Sequence, residues 1–248
     1  MRYFFEISYV GTKYSGWQSQ PNAVGIQSVV EDALAKLTRT PVGITGSGRT
    51  DAGVHCEQQF FHADLPSPID TAQLKYKLNS FLPGDIAIRS IRAVAGDAHA
   101  RYSAVERAYQ YRIMREKNAF MQNLRWHYFK PLDVATMNAA AALLLGTHDF
   151  ESFSKVNTDV KHFVCDIRQA EWNFHGDDLV FTIAANRFLR GMVRAVVGTL
   201  INVGSGAISI DEFSKVINSR DRRSAGANVP PEGLFLVNVN YPDSIFIS

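Results

Sequence analysis

The run Gly46-Ser47-Gly48-Arg49-Thr50-Asp51-Ala52-Gly53-Val54-His55 interrupts an otherwise regular succession of strand and helix patterns. Its three glycines free the backbone for sharp turns and for close approach to a ligand. Arg49 places a planar positive charge beside Asp51, and a nearby cation favours the ionised form of a carboxyl group. The run therefore predicts an irregular loop that carries an ionised aspartate, a residue suited to nucleophilic catalysis. A plain turn, which Asp and Gly also favour, remains the alternative.

Two sequence motifs that are typical of other kinds of site overlap this loop. Residues 43–50 read G-x-x-x-x-G-R-T, which differs from a phosphate-binding P-loop by an arginine in place of lysine, and residues 51–54 make a poor first helical turn. His55-Cys56-Glu57 matches the H-x-E of zinc deaminases, but their P-C-x-x-C half is absent and Cys165 is the only other cysteine. We therefore expect no metal, and a nucleotide-phosphate enzyme stays open as a minor alternative.

Composition is that of an ordinary globular protein. The 248 residues are 46% hydrophobic and 20% charged, with a net charge of +2. No apolar run approaches the roughly 20 residues needed to span a bilayer, so we expect no membrane association. The early acid at Glu6 argues against a signal peptide, and two cysteines far apart in sequence favour a reduced, cytoplasmic protein.

The distribution of charge is more informative than its total. Between Arg101 and Lys130 there are seven basic and two acidic residues, a local net charge of +5, with seven aromatic residues interleaved. The whole chain has 17 arginines and 9 lysines. Arginines hold phosphates in a bidentate fashion, and aromatic rings stack on unpaired bases, so the segment favours RNA binding. The alternative is a solvated basic face beside a core strand.

Hydrophobic periodicity predicts two similar halves, each mixing strands and helices. We place the boundary near residues 95–105 and divide the chain into 1–102 and 103–248. The predicted strands are 3–10, a short one before the glycine loop, 56–63, 86–94, about 103–114, 163–175, 178–185 and a last one through 234–239; the predicted helices are 26–37, one capped by Asp70 and ending near Phe81, 133–145 closed by Gly146, 188–203, and a short one opened by the capping box at Ser209.

Two patterns bring candidate binding residues together. In the strand at 107–113 the two-residue period places Arg107, Tyr109 and Tyr111 on one face, which leaves room for a flat base. In the predicted helix near 188, Arg187, Arg190 and Arg194 follow the spacing i, i+3, i+7 and form one stripe. Buried charges need partners, so at least one arginine should meet an acid, for which Asp51 is a candidate. Exposure of all three at the helix start is the alternative.

The chain resembles the tRNA pseudouridine synthase A family nearly from end to end. The segments that carry the resemblance are Tyr14-Ser15-Gly16-Trp17-Gln18-Ser19-Gln20, Gly48 to His55, Leu82-Pro83-Gly84-Asp85-Ile86, His99-Ala100-Arg101-Tyr102-Ser103-Ala104 with Arg107-Ala108-Tyr109-Gln110-Tyr111, Asn186 to Arg194, and Gly233-Leu234-Phe235-Leu236. Two positions depart from the family pattern: Arg190-Gly191 stands where histidines are frequent, and Cys56 where a small residue is usual.

The resemblance implies an α+β pseudouridine synthase fold, with two similar α/β halves whose mixed or antiparallel sheets are joined side by side around a central catalytic cleft. It implies isomerisation of uridine to pseudouridine at positions 38–40 of the anticodon arm of tRNA, by a cytoplasmic homodimer without a cofactor. Asp51 is then the nucleophile, Arg194 its partner and Tyr109 the residue that packs on the base. Further substrate contacts are expected from Arg49, Arg101, Arg107, Tyr111, Arg187 and Arg190. A catalytically silent RNA-binding module of the same fold is the alternative, and attack at C1′ or at C6 stays open.

Overall fold

The computed structural model describes residues 1–66, 69–156 and 160–247. The chain forms two compact units, Met1–Glu106 with Leu236–Ser248 (unit 1) and Arg107–Phe235 (unit 2). The sequence places a single boundary after residue 102 and assigns the whole C-terminal segment to the second half. In the structure the boundary comes four residues later, and the chain from Leu236 onward returns to unit 1. In the described part of the chain, no helix has both the length and the apolar character needed to cross a membrane.

Unit 1 is a sheet flanked by two helices. Its elements are β1 (Arg2–Tyr9), α1 (Ile26–Thr38), β2 (Thr45–Gly46), β3 (His55–Asp64), α2 (Thr71–Phe81) and β4 (Ile86–Ala93). The strands are ordered β4-β1-β3, β1 pairs antiparallel with both neighbours, and β2 adds to β3. Phe5 and Phe61 stack at 4.7 Å between ring centroids in the core. Asp70 caps α2 by accepting a hydrogen bond from the Gln73 backbone N–H, as the sequence predicts.

Unit 2 repeats the combination of a sheet and helices. Its elements are β5 (Glu106–Met114), β6 (Trp126–His127), α3 (Val134–Ala142), β7 (Gly146–Asp149), β8 (Val164–His175), β9 (Asp178–Ala185), α4 (Met192–Gly204) and α5 (Ile210–Ser219). Strands β5, β9, β8 and β7 pair antiparallel in that order, and β6 pairs parallel with β5. The last strand, β10 (Leu234–Asn240), ends in unit 1 beside β3. The predicted α+β class is confirmed.

Three predicted boundaries in unit 2 are wrong. The helix α4 begins at Met192 and not near 188, because Gly191 adopts φ +73°, a left-handed conformation that cannot continue a right-handed helix. The helix α3 ends at Ala142, since the next residues make hydrogen bonds three positions back and lead into Gly146 at φ +91°. The short strand β7 follows, and the sequence did not predict it. The strand β5 begins at Glu106, not near 103.

Candidate active site

The Asp51 loop, residues 46–55, connects β2 to β3 in unit 1. Asp51 itself is half-buried, Arg49 is exposed, and Thr50 between them is buried. The chain reverses after Asp51 through a turn in which the Val54 backbone N–H donates to the Asp51 carbonyl oxygen at 3.2 Å. Gly53 supports this turn with φ +77°. Because the turn runs directly into a strand and not into a helix, the P-loop interpretation of residues 43–50 is wrong.

The segment 14–17 braces this loop through its backbone. The Trp17 N–H donates to the Thr50 carbonyl oxygen, and the Gly53 N–H donates to the Tyr14 carbonyl oxygen, each at 3.2 Å. Gly16 lies between these two bonds at φ +88°, and a Cβ atom there would stand only 2.3 Å from the Thr50 carbonyl oxygen. The close approach of the two backbones therefore requires glycine at position 16.

The Trp17 side chain supports the beginning of the loop from inside unit 1. It is 2% exposed, and its ring lies 6.1 Å from Phe61 and 6.3 Å from Tyr9 between centroids. A Cβ atom on Gly46 would lie 2.6 Å from the indole. The first glycine of the loop thus lets the backbone pass over a buried tryptophan.

A second anchor links the Tyr14 segment to residues 82–86. The Tyr14 hydroxyl donates to Asp85 Oδ1 at 2.6 Å, and the Val10 N–H donates to the Asp85 carbonyl oxygen at 2.9 Å. Burial, and then the hydrogen bond to this carboxylate, raise the pKa of Tyr14 well above its usual value. Asp85 therefore holds the segment that in turn holds Gly53. Two segments that are distant in sequence are thus linked to the Asp51 loop by hydrogen bonds.

His55 closes the loop as a structural residue. It is buried, and its Nδ1 accepts a hydrogen bond from the Gly11 N–H at 3.0 Å. A Cβ atom on Gly11 would lie 2.0 Å from the Val54 carbonyl oxygen, so this contact also depends on a glycine. Burial raises the pKa of the Cys56 thiol, which favours the neutral form over the thiolate that binds metals. In the described residues, no three His, Cys, Asp or Glu side chains come together as a metal-binding group.

The turn at 99–103 presents Arg101 and Tyr102 on the surface of unit 1. His99 Nδ1 accepts hydrogen bonds from the backbone N–H groups of both residues, and the Ser103 Oγ accepts one from the His99 N–H. Tyr102 is 76% exposed, and the Arg101 guanidinium lies 5.7 Å from its ring centroid. A solvent-facing ring beside a cation can stack on a nucleobase.

In unit 2, β5 presents Arg107 and Tyr109 half-buried on one face. The Tyr109 ring meets Phe188 edge-on at 5.1 Å, and Arg107 donates to the Asn186 carbonyl oxygen at 2.9 Å. Tyr111 lies on the same face but is fully buried, with its hydroxyl donating to the Pro230 carbonyl oxygen at 2.8 Å. The prediction that Tyr111 contacts RNA is therefore wrong for this conformation, because its ring has no exposed surface on which a base could stack.

The three arginines near α4 do not form the predicted helical stripe. Only Arg194 is on α4, where its Nε donates to the Val229 carbonyl oxygen at 2.7 Å. Arg187 and Arg190 precede the helix: Arg187 contacts His162 Nε2 at 3.2 Å, and Arg190 is exposed. The stripe does not form because Gly191, directly before Met192, has a left-handed backbone conformation. The helix therefore cannot extend back to Arg187 and Arg190.

Part of the basic and aromatic segment serves the packing of unit 2. Arg125 pairs with Asp178 at 2.6 Å, and Arg112 lies 4.1 Å above the Phe235 ring. Phe120 and Phe129, in contrast, are 91% and 71% exposed. The segment is thus divided between arginines that stabilise the fold and aromatic rings that face solvent.

A family model described as tRNA pseudouridine synthase matches residues 7–103 and 140–242. The chain belongs to the tRNA pseudouridine synthase family. Proteins named tRNA pseudouridine synthase A are similar over their full length. The one from Porphyromonas gingivalis is 47% identical over 250 residues, covering 99% of both chains. The one from Parabacteroides distasonis is 48% identical over 246 residues (99% and 98%), and the one from Exiguobacterium sibiricum is 40% identical over 243 residues (98% of both).

Membership of this family confirms the resemblance drawn from the sequence and the assignment to the isomerases. The matched ranges contain Asp51 and its supporting segments, and also Arg194, whereas Tyr109 lies in the interval 104–139 between them. The sequence predicted the loop and the segments around it. It did not predict that Tyr9 and Gln59 support the loop from its buried side. A polar residue at a buried strand position was the only signal available for Gln59.

Proposed function

We propose that this protein isomerises uridine to pseudouridine in tRNA, at positions 38–40 of the anticodon arm, with Asp51 as the nucleophile. The observation that carries the proposal is the bracing of the Asp51 loop in a chain of this family: two backbone hydrogen bonds and a glycine without room for a side chain hold the residues around a half-buried carboxylate. A catalytic group on a fixed loop meets the need for precise placement of reacting atoms.

The proposed reaction breaks the bond between ribose C1′ and uracil N1, turns the base, and forms a bond between C1′ and C5. The C5 proton leaves and N1 gains one, so no atoms or electrons are gained or lost and no cofactor is required. Asp51 attacks either C1′ or C6. Arg194 is proposed to pair with the Asp51 carboxylate and to balance its negative charge.

The remaining roles concern the tRNA. Tyr109 is proposed to pack on the target base and to handle the C5 proton, and the exposed Arg49 to fill the space that the flipped uridine leaves, since extrusion of a base costs a few kcal/mol. Arg101, Arg107, Arg187 and Arg190 are proposed phosphate contacts, which predicts binding that weakens steeply with salt. We further propose that the protein acts as a cytoplasmic homodimer.

The decisive experiment incubates purified protein with an unmodified tRNA transcript that carries tritium at uridine C5. Release of tritium reports the reaction, and mapping of pseudouridine along the transcript reports the position. Asp51→Asn should abolish release while tRNA binding persists, and Asp32→Asn, the same change at an exposed residue on α1, should have no effect. A wild-type protein that binds tRNA and releases no tritium would be an RNA-binding module without catalysis. Normal turnover by Asp51→Asn would refute the assigned nucleophile.

A further inference from the structure

A buried network of side-chain hydrogen bonds lies beneath the Asp51 loop. The Tyr9 hydroxyl, at the end of β1, donates to Gln59 Oε1 at 3.0 Å and lies 2.8 Å from Thr50 Oγ1. Gln59 Nε2, on β3, donates to the Gly48 carbonyl oxygen at 3.0 Å. A phenol has one proton, which goes to Gln59, so Thr50 is the donor in the remaining bond. Tyr9 is 4% exposed, Thr50 7% and Gln59 0%.

The network holds the loop on both sides of Arg49. Gly48, whose carbonyl oxygen accepts from Gln59, comes directly before Arg49, and Thr50, whose hydroxyl donates to Tyr9, comes directly after it. The Thr50 carbonyl oxygen is also held, by the Trp17 N–H. The backbone is therefore fixed on either side of Arg49 and up to the residue that precedes Asp51.

We propose that Tyr9 is a positioning residue for the isomerisation, acting through Thr50 and Gln59 to set the placement of Arg49 and Asp51; this inference rests on the function proposed above. The preceding residues on the same face of β1 are the buried, apolar Phe5 and Ile7. Packing of this face of the core therefore requires the Tyr9 ring but not its hydroxyl. Loss of the hydroxyl leaves the buried Gln59 Oε1 without this donor, which lowers stability but does not remove the packing of the ring. The placement of a nucleophile is far more sensitive, since a shift of about 1 Å can cost roughly 100-fold in rate.

The first test is Tyr9→Phe, which keeps the ring and removes only the hydroxyl. The single-turnover rate at saturating enzyme should fall by at least about tenfold, with a dissociation constant for tRNA within about twofold of the wild type. Tyr3→Phe is the matched control, because Tyr3 is buried on the same face of β1 and its hydroxyl contacts the Met1 sulfur at 3.4 Å. The Tyr9 side chain also interacts with the Cys56 thiol, so Cys56→Ala tests that contact separately and should keep the wild-type rate.

A second pair of variants keeps the test decisive should Tyr9→Phe fold poorly. Thr50→Val removes the hydroxyl and should slow the reaction, whereas Thr50→Ser retains it and should restore most of the rate. In Tyr9→Phe/Thr50→Val the losses should not add in full, because both changes break the hydrogen bond between Tyr9 and Thr50. Wild-type single-turnover rates for Tyr9→Phe or for Thr50→Val would overturn the positioning role. An inactive wild-type enzyme would instead refute the proposed function.

Discussion

Replacing Gly16 by alanine perturbs the bracing of the Asp51 loop at its tightest point. The new methyl group would lie 2.3 Å from the Thr50 carbonyl oxygen, 3.1 Å from the Asp51 carbonyl carbon and 3.3 Å from the Ala52 nitrogen. All three are backbone atoms, so no flexible side chain can move aside. The strain therefore falls on the peptide groups on either side of Asp51.

The size of the effect follows from two terms. An alanine held in the left-handed region costs about 1–2 kcal/mol, and overpacking a tight contact costs about 1–3 kcal/mol, for a total of about 2–5 kcal/mol. At about 2–4 °C per kcal/mol for a chain of this length, the Tm should fall by at least about 4 °C. Lengthening this contact from 2.3 Å to 3.0 Å, which is still tighter than most Cβ contacts, requires a displacement of about 0.7 Å near Asp51 and predicts a rate loss of at least about tenfold.

The assay compares thermal unfolding with the single-turnover rate of tritium release, measured well below the Tm of the variant. Gly43→Ala is the matched control: Gly43 has no positive φ, and a Cβ atom there meets no atom of the described residues within 4 Å. It should behave as wild type in both measurements. If Gly16→Ala shows a wild-type Tm and rate, the reasoning from the close backbone approach is refuted.

Three further outcomes are expected. Arg194→Ala should lower the rate of tritium release and should destabilise the fold by about 1–3 kcal/mol, because it leaves the buried Val229 carbonyl oxygen without its donor; unchanged melting and rate would contradict this. Tyr109→Phe should slow the reaction by about 100-fold if the hydroxyl handles the proton, and an unchanged rate would limit the residue to stacking. Burial and nearby positive charge lower the pKa of His62 to about 4, so denaturant unfolding should show stability lost as pH falls from 6.5 toward 4. His62→Asn keeps an acceptor for the Ala100 N–H and should lose less stability between pH 7 and pH 5; an equal loss would refute the assignment.

The sequence predicted most elements because their signals are local. The spacing of apolar residues gave α1, the alternation of Tyr3, Phe5, Ile7 and Tyr9 gave β1, and the capping box at Ser209 gave α5. The predictions failed where one backbone conformation decided the outcome. Gly191 at φ +73° ended the helical register that the arginine stripe required, and nothing in the spacing of the side chains reports a dihedral angle.

For the candidate site, the sequence by itself determined the loop, its aspartate and the family to which the chain belongs, since these depend on the order of residues over short stretches. Tertiary structure decided how the loop is held. Tyr9 meets Thr50 from 41 residues away and Gln59 from 50, and Tyr14 meets Asp85 from 71. Tertiary structure also buries Tyr111, which strand periodicity had placed beside Tyr109 as a binding residue. Hydrogen-bond partners and burial depend on which segments the fold brings together, and no local pattern encodes that proximity.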